Sequence, residues 1–135
     1  MLKQKTLIPY PPPDFCKSKH NGDYPIRDVL KYVNCQDGQQ TIVQCDSHTI
    51  FDPTNHKCTP IRYEHPGTLC KGRGIGNWSN PWSCSRYVSC DGKTTSGTMK
   101  HCEIGSFVYD PYENTCVPPS HYLCVPVSGK LLFLT

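Results

Sequence analysis

The stretches Cys84-Ser-Arg-Tyr-Val-Ser-Cys90 and Lys31-Tyr-Val-Asn-Cys35 share a Tyr-Val pair just before a cysteine, and an Asp-Gly turn signal follows each of them. Further along, Phe51-Asp-Pro-Thr-Asn-His-Lys-Cys58 aligns with Tyr109-Asp-Pro-Tyr-Glu-Asn-Thr-Cys116. The Asp-Pro pair lies six and five residues before the cysteine in both. Self-similarity of this kind predicts two structural units of the same type in tandem.

The cysteines follow the same repeat but not in equal number. The first copy has four (Cys16, Cys35, Cys45, Cys58) and the second has six (Cys70, Cys84, Cys90, Cys102, Cys116, Cys124). Val29 and approximately Pro66 stand at the first-copy positions that match Cys84 and Cys124. If those two cysteines are bonded to each other, the first copy has lost a whole disulfide and no thiol lacks a partner. We therefore expect Val29 and the region of Pro66 to lie close together.

Ten cysteines in 135 residues, none of them in a CxxC pair, indicate a disulfide framework formed in an oxidising compartment. Modules of this size bury too little surface to be stable without cross-links. We therefore expect a secreted, extracellular protein whose ten cysteines are all paired, with no link between the copies.

The ends of the chain and its charge exclude several other classes. The N-terminus lacks the apolar run of a signal peptide, so we interpret the chain as a fragment or a mature region with an added Met1. The apolar tail at 131–134 is too short to span a membrane. A net charge of +3 with dispersed basic residues does not indicate nucleic-acid binding.

Local patterns predict strands rather than helices. Residues 31–35 and 40–45 read as a β-hairpin around an Asp-Gly turn, and residues 86–90 and about 94–102 repeat it with a longer loop. No segment predicts a helix of more than one or two turns.

Together, the cysteine spacing, Gly22-Asp-Tyr24-Pro25 and Cys84-x-x-Tyr87-x-x-Cys90 resemble the peritrophin-A type chitin-binding domain. This family is also called chitin-binding type 2 or carbohydrate-binding module family 14. The resemblance covers about residues 14–124. All six cysteines are matched in the second copy, whereas the first has Val29 for the second cysteine and no sixth.

The resemblance implies a small disulfide-rich all-β fold in which each module has a three-stranded antiparallel sheet and a short two-stranded hairpin. We place the modules at 14–66 and 68–125, with flexible flanks at 1–13 and 126–135. The family pairs its cysteines first to third, second to sixth and fourth to fifth, which implies Cys70–Cys90, Cys84–Cys124, Cys102–Cys116, Cys16–Cys35 and Cys45–Cys58. Losing a disulfide costs a small domain about 2–5 kcal/mol, so the first module should be the less rigid one.

Chitin presents flat apolar sugar faces and acetamido groups with one donor and one acceptor each. A binder therefore needs exposed aromatic side chains beside fixed polar groups. The candidate chitin-binding residues are aromatic, Asp or Asn: Trp78, Trp82, Tyr109, Asp110, Tyr112, Asn114, Tyr24, Phe51, Asp52 and Asn55.

The alternative for some of these residues is a structural role. Tyr32, Tyr87 and Phe51 lie beside half-cystines and are expected to be packing residues. Asp52 and Asp110 precede prolines, where Asp commonly serves turn geometry. Trp82 and Tyr112 occupy turn-rich segments, so they are the better candidates for sugar stacking. The sequon Asn77-Trp78-Ser79 could carry a glycan.

An enzymatic function is not predicted, because the six histidines show no HExxH spacing and no serine lies in a GxSxG context. We expect no metal and no cofactor. The sequence predicts non-catalytic binding of chitin or chito-oligosaccharide, dominated by the second module, with the first adding avidity. The alternative function is an extracellular protein-interaction or structural module without sugar affinity. Other extracellular matrix proteins are further candidate partners.

Overall fold

The computed structural model describes residues 11–63, 65 and 67–126. We call 11–63 the first half and 67–126 the second half. The described residues form ten strands and two short 3-10 turns (Phe15–Ser18 and Ile61–Tyr63), with no α-helix. The strands are β1 (Gly22–Pro25), β2 (Lys31–Gln36), β3 (Gln39–Gln44), β4 (Thr49–Asp52), β5 (Lys57–Pro60), β6 (Gly76–Ser79), β7 (Arg86–Cys90), β8 (Thr98–His101), β9 (Val108–Asp110) and β10 (Thr115–Val117).

Each half has the same small sheets. Strands β1-β2-β3 and β6-β7-β8 form three-stranded sheets, and β4-β5 and β9-β10 form two-stranded ones, all antiparallel. The predicted fold class, small disulfide-rich all-β, is confirmed.

Equivalent hydrogen bonds connect the sheets within each half. Phe51 N donates to Val29 O at 3.0 Å, and Tyr109 N donates to Cys84 O at 2.9 Å. Val29 thus occupies in the first half the backbone position that Cys84 occupies in the second.

All ten cysteines are paired and every disulfide lies within one half. The pairs are Cys16–Cys35, Cys45–Cys58, Cys70–Cys90, Cys84–Cys124 and Cys102–Cys116. These are the pairs that the family resemblance implies.

One hydrophobic cluster, the shared core, contains side chains from both halves. Val29 and Ile50 of the first half pack with Leu69, Trp78 and Val88 of the second. Burying these apolar groups together stabilises both halves at once. The halves therefore form one packed unit rather than two modules joined only by a linker.

Val29, which stands where the family pattern has a cysteine, is almost fully buried in the shared core. Pro66, its expected neighbour, lies outside the described residues, so their separation stays a prediction. Leu69, three residues further along, does pack in the same cluster. Apolar contact with the second half thus stabilises the position at which the family pattern has its second cysteine and this chain has Val29.

Backbone and buried side-chain hydrogen bonds also join the halves. Val29 N donates to Ser79 Oγ at 3.0 Å, and Ser79 N donates to Arg27 O at 2.8 Å. The buried guanidinium of Arg73 donates to Phe51 O at 2.5 Å. Because unpaired polar groups are costly in a core, these bonds fix how the halves dock.

Hydrogen bonds connect Pro12 to the first half. Sequence reasoning assigns Pro12 to a flexible flank, but Pro12 O accepts hydrogen bonds from Phe15 N at 3.0 Å and Gln40 Nε2 at 3.1 Å. The remainder of the two predicted flanks, 1–10 and 127–135, lies outside the described residues.

A carboxylate of the first half holds two phenols of the second. Asp28, only 4% exposed, accepts hydrogen bonds at Oδ2 from Tyr112 at 3.0 Å and from Tyr122 at 3.5 Å. Its Oδ1 accepts from Leu30 N at 3.2 Å, and Lys31 Nζ lies 3.8 Å from Oδ2. We call Asp28, Tyr112 and Tyr122 the carboxylate–phenol cluster. Burial, and then the negative charge of Asp28, raises the pKa of both tyrosines well above the ordinary 10.0.

This cluster predicts a loss of stability at alkaline pH. A tyrosine whose pKa is raised on folding contributes its full stabilisation below pH about 10, where the unfolded chain is still protonated. Above that pH the unfolded tyrosines ionise first, and the stabilisation disappears as the pH rises toward the folded pKa. The melting temperature should therefore fall between pH 9 and pH 11.

The double variant Tyr112→Phe/Tyr122→Phe is the control for this measurement. It should start from a lower melting temperature but lose less of it over the same interval. Equal alkaline losses in the variant and the parent would contradict the assignment. No cysteine is free to start thiol exchange at these pH values.

Candidate functional site

Trp78 and Tyr24 occupy equivalent positions and both have structural roles. Trp78 is 6% exposed, and its Nε1 donates to Gly74 O at 3.0 Å. Tyr24 is half-buried, and its hydroxyl donates to His20 O at 2.7 Å. Each ring lies under a cationic side chain, Arg73 or Lys19. The prediction that Trp78 stacks on a sugar does not fit its burial, and Tyr24 has its hydroxyl engaged.

Trp82 and Tyr112, predicted to be exposed in turn-rich segments, lie at the junction of the halves. Trp82 is half-buried against the shared core. Tyr112 donates to Asp28 across the junction, and its ring packs against the buried cluster of the first half around Ile26 and Val33. Both residues therefore help to join the halves, and their contact with a sugar stays a prediction.

Asp110 and Asp52 stabilise the turns that follow them. Asp110 Oδ1 accepts hydrogen bonds from Tyr112 N at 2.8 Å and Glu113 N at 3.3 Å. Asp52 accepts from Thr54 N at 2.9 Å and from Asn55 Nδ2 at 2.7 Å. These contacts fit the alternative that both serve turn geometry.

The pKa of Asp52 reflects this environment. Partial burial raises the pKa of Asp52, but hydrogen bonds from Thr54 and Asn55 together outweigh it, so the pKa lies below its ordinary value. The ionised Asp52 carboxylate accepts hydrogen bonds from the turn that follows it. The Asn55 side-chain amide is one of the donors, so both side chains stabilise the same turn.

Each half contains a stacked aromatic pair with one buried and one half-exposed ring. Phe51 is fully buried and stacks on Tyr32 with ring centroids 4.9 Å apart. Tyr109, 3% exposed, stacks on Tyr87 at 4.7 Å. The predicted site residues Phe51 and Tyr109 are therefore the inner rings. Tyr32 and Tyr87, which sequence reasoning treats as packing residues, are the outer ones.

The outer ring of the second half opens onto a cleft of about 330 Å³, which we call the tyrosine cleft. Its walls combine apolar and polar side chains: Tyr87, His101, Glu103, Ile104, Phe107 and Asn114. The cleft thus places aromatic rings beside polar side chains, which can contact both the apolar faces and the polar groups of a small ligand.

Asn114 is fixed at the edge of the tyrosine cleft. Its Oδ1 accepts hydrogen bonds from the Tyr109 hydroxyl at 2.8 Å and from Asn77 Nδ2 at 3.2 Å. Its backbone is in the left-handed region, with φ 58°. Asn114 Nδ2 has no acceptor among the described residues, so a preorganised amide donor faces the cleft side of the tyrosine pair.

The first half lacks an equivalent cleft wall. His56 takes the place of Asn114, with φ 57°, and its Nδ1 lies 3.3 Å from Asp23 O. Between Cys45 and Phe51 there is no Phe, Tyr or Trp, whereas Phe107 precedes Tyr109 in the second half. The second half thus offers the larger aromatic surface.

Of the predicted site residues, the structure brings Tyr109 and Asn114 into direct contact, and Trp78, Trp82 and Tyr112 do not line the tyrosine cleft. Tyr87, Phe107 and His101 line the tyrosine cleft but are not among the chitin-binding candidates chosen from the sequence. For Phe107 a signal was available, since it follows the Gly-Ser pair of a loop. Tyr87 and His101 lie on adjacent strands, and only their exposure in the structure shows that they line the cleft.

Residues 11–63, 65 and 67–126 contain no cluster of three or more His, Cys, Asp or Glu side chains suited to a metal ion. They also include no helix with the length and apolarity needed to cross a bilayer.

A family model, the chitin binding Peritrophin-A domain, matches residues 16–64. No curated protein matches the chain. The matched segment is the first half, the one with two disulfides, and it lies within the region for which the cysteine pattern indicates the same family. This match supports chitin binding.

Proposed function

We propose that this chain, whose residues 16–64 match the chitin-binding peritrophin-A family model, is a non-catalytic chitin binder with its main sugar contacts in the tyrosine cleft. The observation that carries the proposal is the partly buried Tyr87 ring on the wall of the tyrosine cleft. It is held flat by its stack on Tyr109 and bordered by Phe107 and Asn114.

The chemistry of the cleft suits an N-acetylated sugar. The apolar face of a pyranose ring gains contact area on Tyr87 or Phe107, and rigid aromatic rings lose little entropy on binding. The Asn114 amide can donate to an acetamido carbonyl. Because Asn114 already accepts two hydrogen bonds, its side chain loses little conformational entropy when a ligand binds.

A hydrolytic role is not supported by this cleft. Glycoside hydrolysis requires two carboxyl groups about 5–9.5 Å apart on either side of the scissile bond. The residues that line the tyrosine cleft include a single acid, Glu103. Binding without catalysis is therefore the function that we propose.

The first half contributes a weaker second contact in this proposal. Tyr32 on Phe51 repeats the stacked pair, but no aromatic wall stands beside it. On a repeating polymer, a weak second site on the same molecule increases retention by raising the effective concentration. We also propose that the protein acts outside the cell, since ten paired cysteines require an oxidising compartment.

Phe107→Ala is the direct test of the tyrosine cleft. Losing an aromatic anchor should weaken retention on chitin beads by about 1–3 kcal/mol, while the melting temperature changes little because Phe107 is only half-buried. Since the ligand is uncharged, retention of the parent chain should persist at high salt.

Ile75→Ala is the matched control, because Ile75 is a large apolar residue, 78% exposed, that does not line the cleft. It should bind like the parent. If Phe107→Ala keeps full retention while folded Tyr112→Phe loses it, the site lies at the junction instead. If the parent itself is not retained, the alternative of a protein-interaction module is favoured.

A further inference from the structure

A second cleft, of about 380 Å³, lies between the halves; we call it the inter-half cleft. The first half contributes Lys31, Gln44 and His48 to its walls, and the second half contributes Arg86, Tyr122 and Leu123. The cleft therefore exists only when the two halves are docked.

Its mouth has polar side chains that the fold does not use. Asp46, His48 and Arg86 have no side-chain hydrogen bond or ion pair with any residue in the described part of the chain, and all three are exposed. His48 is held at φ 62°, a conformation that non-glycine residues rarely adopt. Strained residues of this kind concentrate at binding sites.

The floor and one edge of the inter-half cleft are apolar. Leu30, Pro111 and Tyr122 line it, and Leu123 at its edge is 84% exposed. The formal charges cancel, since Lys31 and Arg86 face Asp28 and Asp46. An apolar floor with donors and acceptors of no net charge fits an uncharged sugar better than an anionic polymer.

The two clefts adjoin each other. Tyr109 lines the inter-half cleft, and it stacks at 4.7 Å on Tyr87, which lines the tyrosine cleft. Arg86 lines the inter-half cleft, and its cross-strand partner His101 lines the tyrosine cleft. The stacked rings of Tyr87 and Tyr109 and the cross-strand residues Arg86 and His101 therefore lie between the two clefts.

We propose that a single N-acetylglucosamine oligosaccharide runs from the tyrosine cleft across the Arg86–His101 pair into the inter-half cleft. This inference rests on the proposed function and extends it. The protein then contacts a longer stretch of chitin than one half can contact alone. The additional sugar subsites lie in the inter-half cleft, which the docking of the halves creates. We expect a trisaccharide to contact the tyrosine cleft alone and a hexasaccharide to reach both clefts.

The test compares chito-oligosaccharides of two lengths on the full chain by isothermal titration calorimetry. The variant is His48→Gly/Arg86→Ala. Glycine accepts the positive φ of residue 48 without strain, and Arg86 is exposed, so the fold should be preserved. The hexasaccharide affinity should fall by about tenfold or more, while the trisaccharide affinity stays within about twofold of the parent.

The control is Lys93→Ala/His121→Ala, which removes one basic side chain and one imidazole from exposed positions that line neither cleft. It should bind both oligosaccharides like the parent. If His48→Gly/Arg86→Ala keeps the parent's hexasaccharide affinity, the inference is overturned and the tyrosine cleft stands alone. If the parent binds neither oligosaccharide, the proposed function fails as well.

Discussion

Replacing Trp78 with alanine is expected to destabilise the whole chain by about 3–5 kcal/mol, the usual cost of removing a buried tryptophan side chain. Trp78 is 6% exposed, and it packs with Val29 and Ile50 of the first half as well as with Val88 of the second. Its removal leaves a cavity between the halves. Amide hydrogen exchange measured in β2 and in β7 at increasing denaturant concentrations should show a lower free energy of unfolding in both halves.

Trp82→Ala is the matched control, since the same residue type there is only half-buried at the edge of the shared core. It should cost less than Trp78→Ala. Chitin retention per folded molecule should be unchanged in Trp78→Ala, because Trp78 does not line the tyrosine cleft. An unchanged melting curve together with lost retention would instead place Trp78 in the sugar site.

The first hairpin shows what local sequence can predict. Residues 31–35 and 40–45 were expected as its strands, and β2 and β3 cover Lys31–Gln36 and Gln39–Gln44. The reason is local: an Asp-Gly turn with Asp37 at φ 51° and Gly38 at φ 82° lies between β-favouring residues. Where a turn and its flanking strands are adjacent in sequence, pattern and structure agree.

The second hairpin shows where local pattern misleads. A strand over about 94–102 was expected, but β8 covers only Thr98–His101. Asp91 Oδ1 accepts hydrogen bonds from Lys93 N at 2.8 Å and Thr94 N at 3.0 Å, so the loop continues past Thr94. A short polar side chain competes here with the ladder for backbone donors, and β propensity does not record that competition.

The candidate site could be predicted by residue type but not by position. An aromatic, Asn-bearing surface was expected, and Tyr109 and Asn114 do meet. Trp82 and Tyr112 were expected to face solvent because they lie in turn-rich segments. Their burial depends on contacts far apart in the chain, such as that between Tyr112 and Asp28, 84 residues away. Two docked halves bury surface that either half alone would expose.

Asp28→Ala is expected to uncouple the halves. The substitution removes the acceptor for the hydroxyls of the partly buried Tyr112 and Tyr122 and for Leu30 N. Each phenol left without an acceptor costs about 1–3 kcal/mol, because its desolvation is no longer compensated. Amide exchange at Val29 and Ser79, whose backbone bonds cross the junction, should accelerate more than exchange within β7.

Asp14→Ala is the control, since Asp14 is exposed and has no side-chain cap hydrogen bond; it should change stability by no more than about 0.5 kcal/mol. Asp28→Asn keeps one acceptor oxygen and should fall between the two. Because the inter-half cleft requires docked halves, Asp28→Ala should also reduce the affinity advantage of a hexasaccharide over a trisaccharide while the trisaccharide still binds. A stable Asp28→Ala variant with unchanged exchange at Val29 would show that the shared core alone holds the junction, and that the carboxylate–phenol cluster is dispensable.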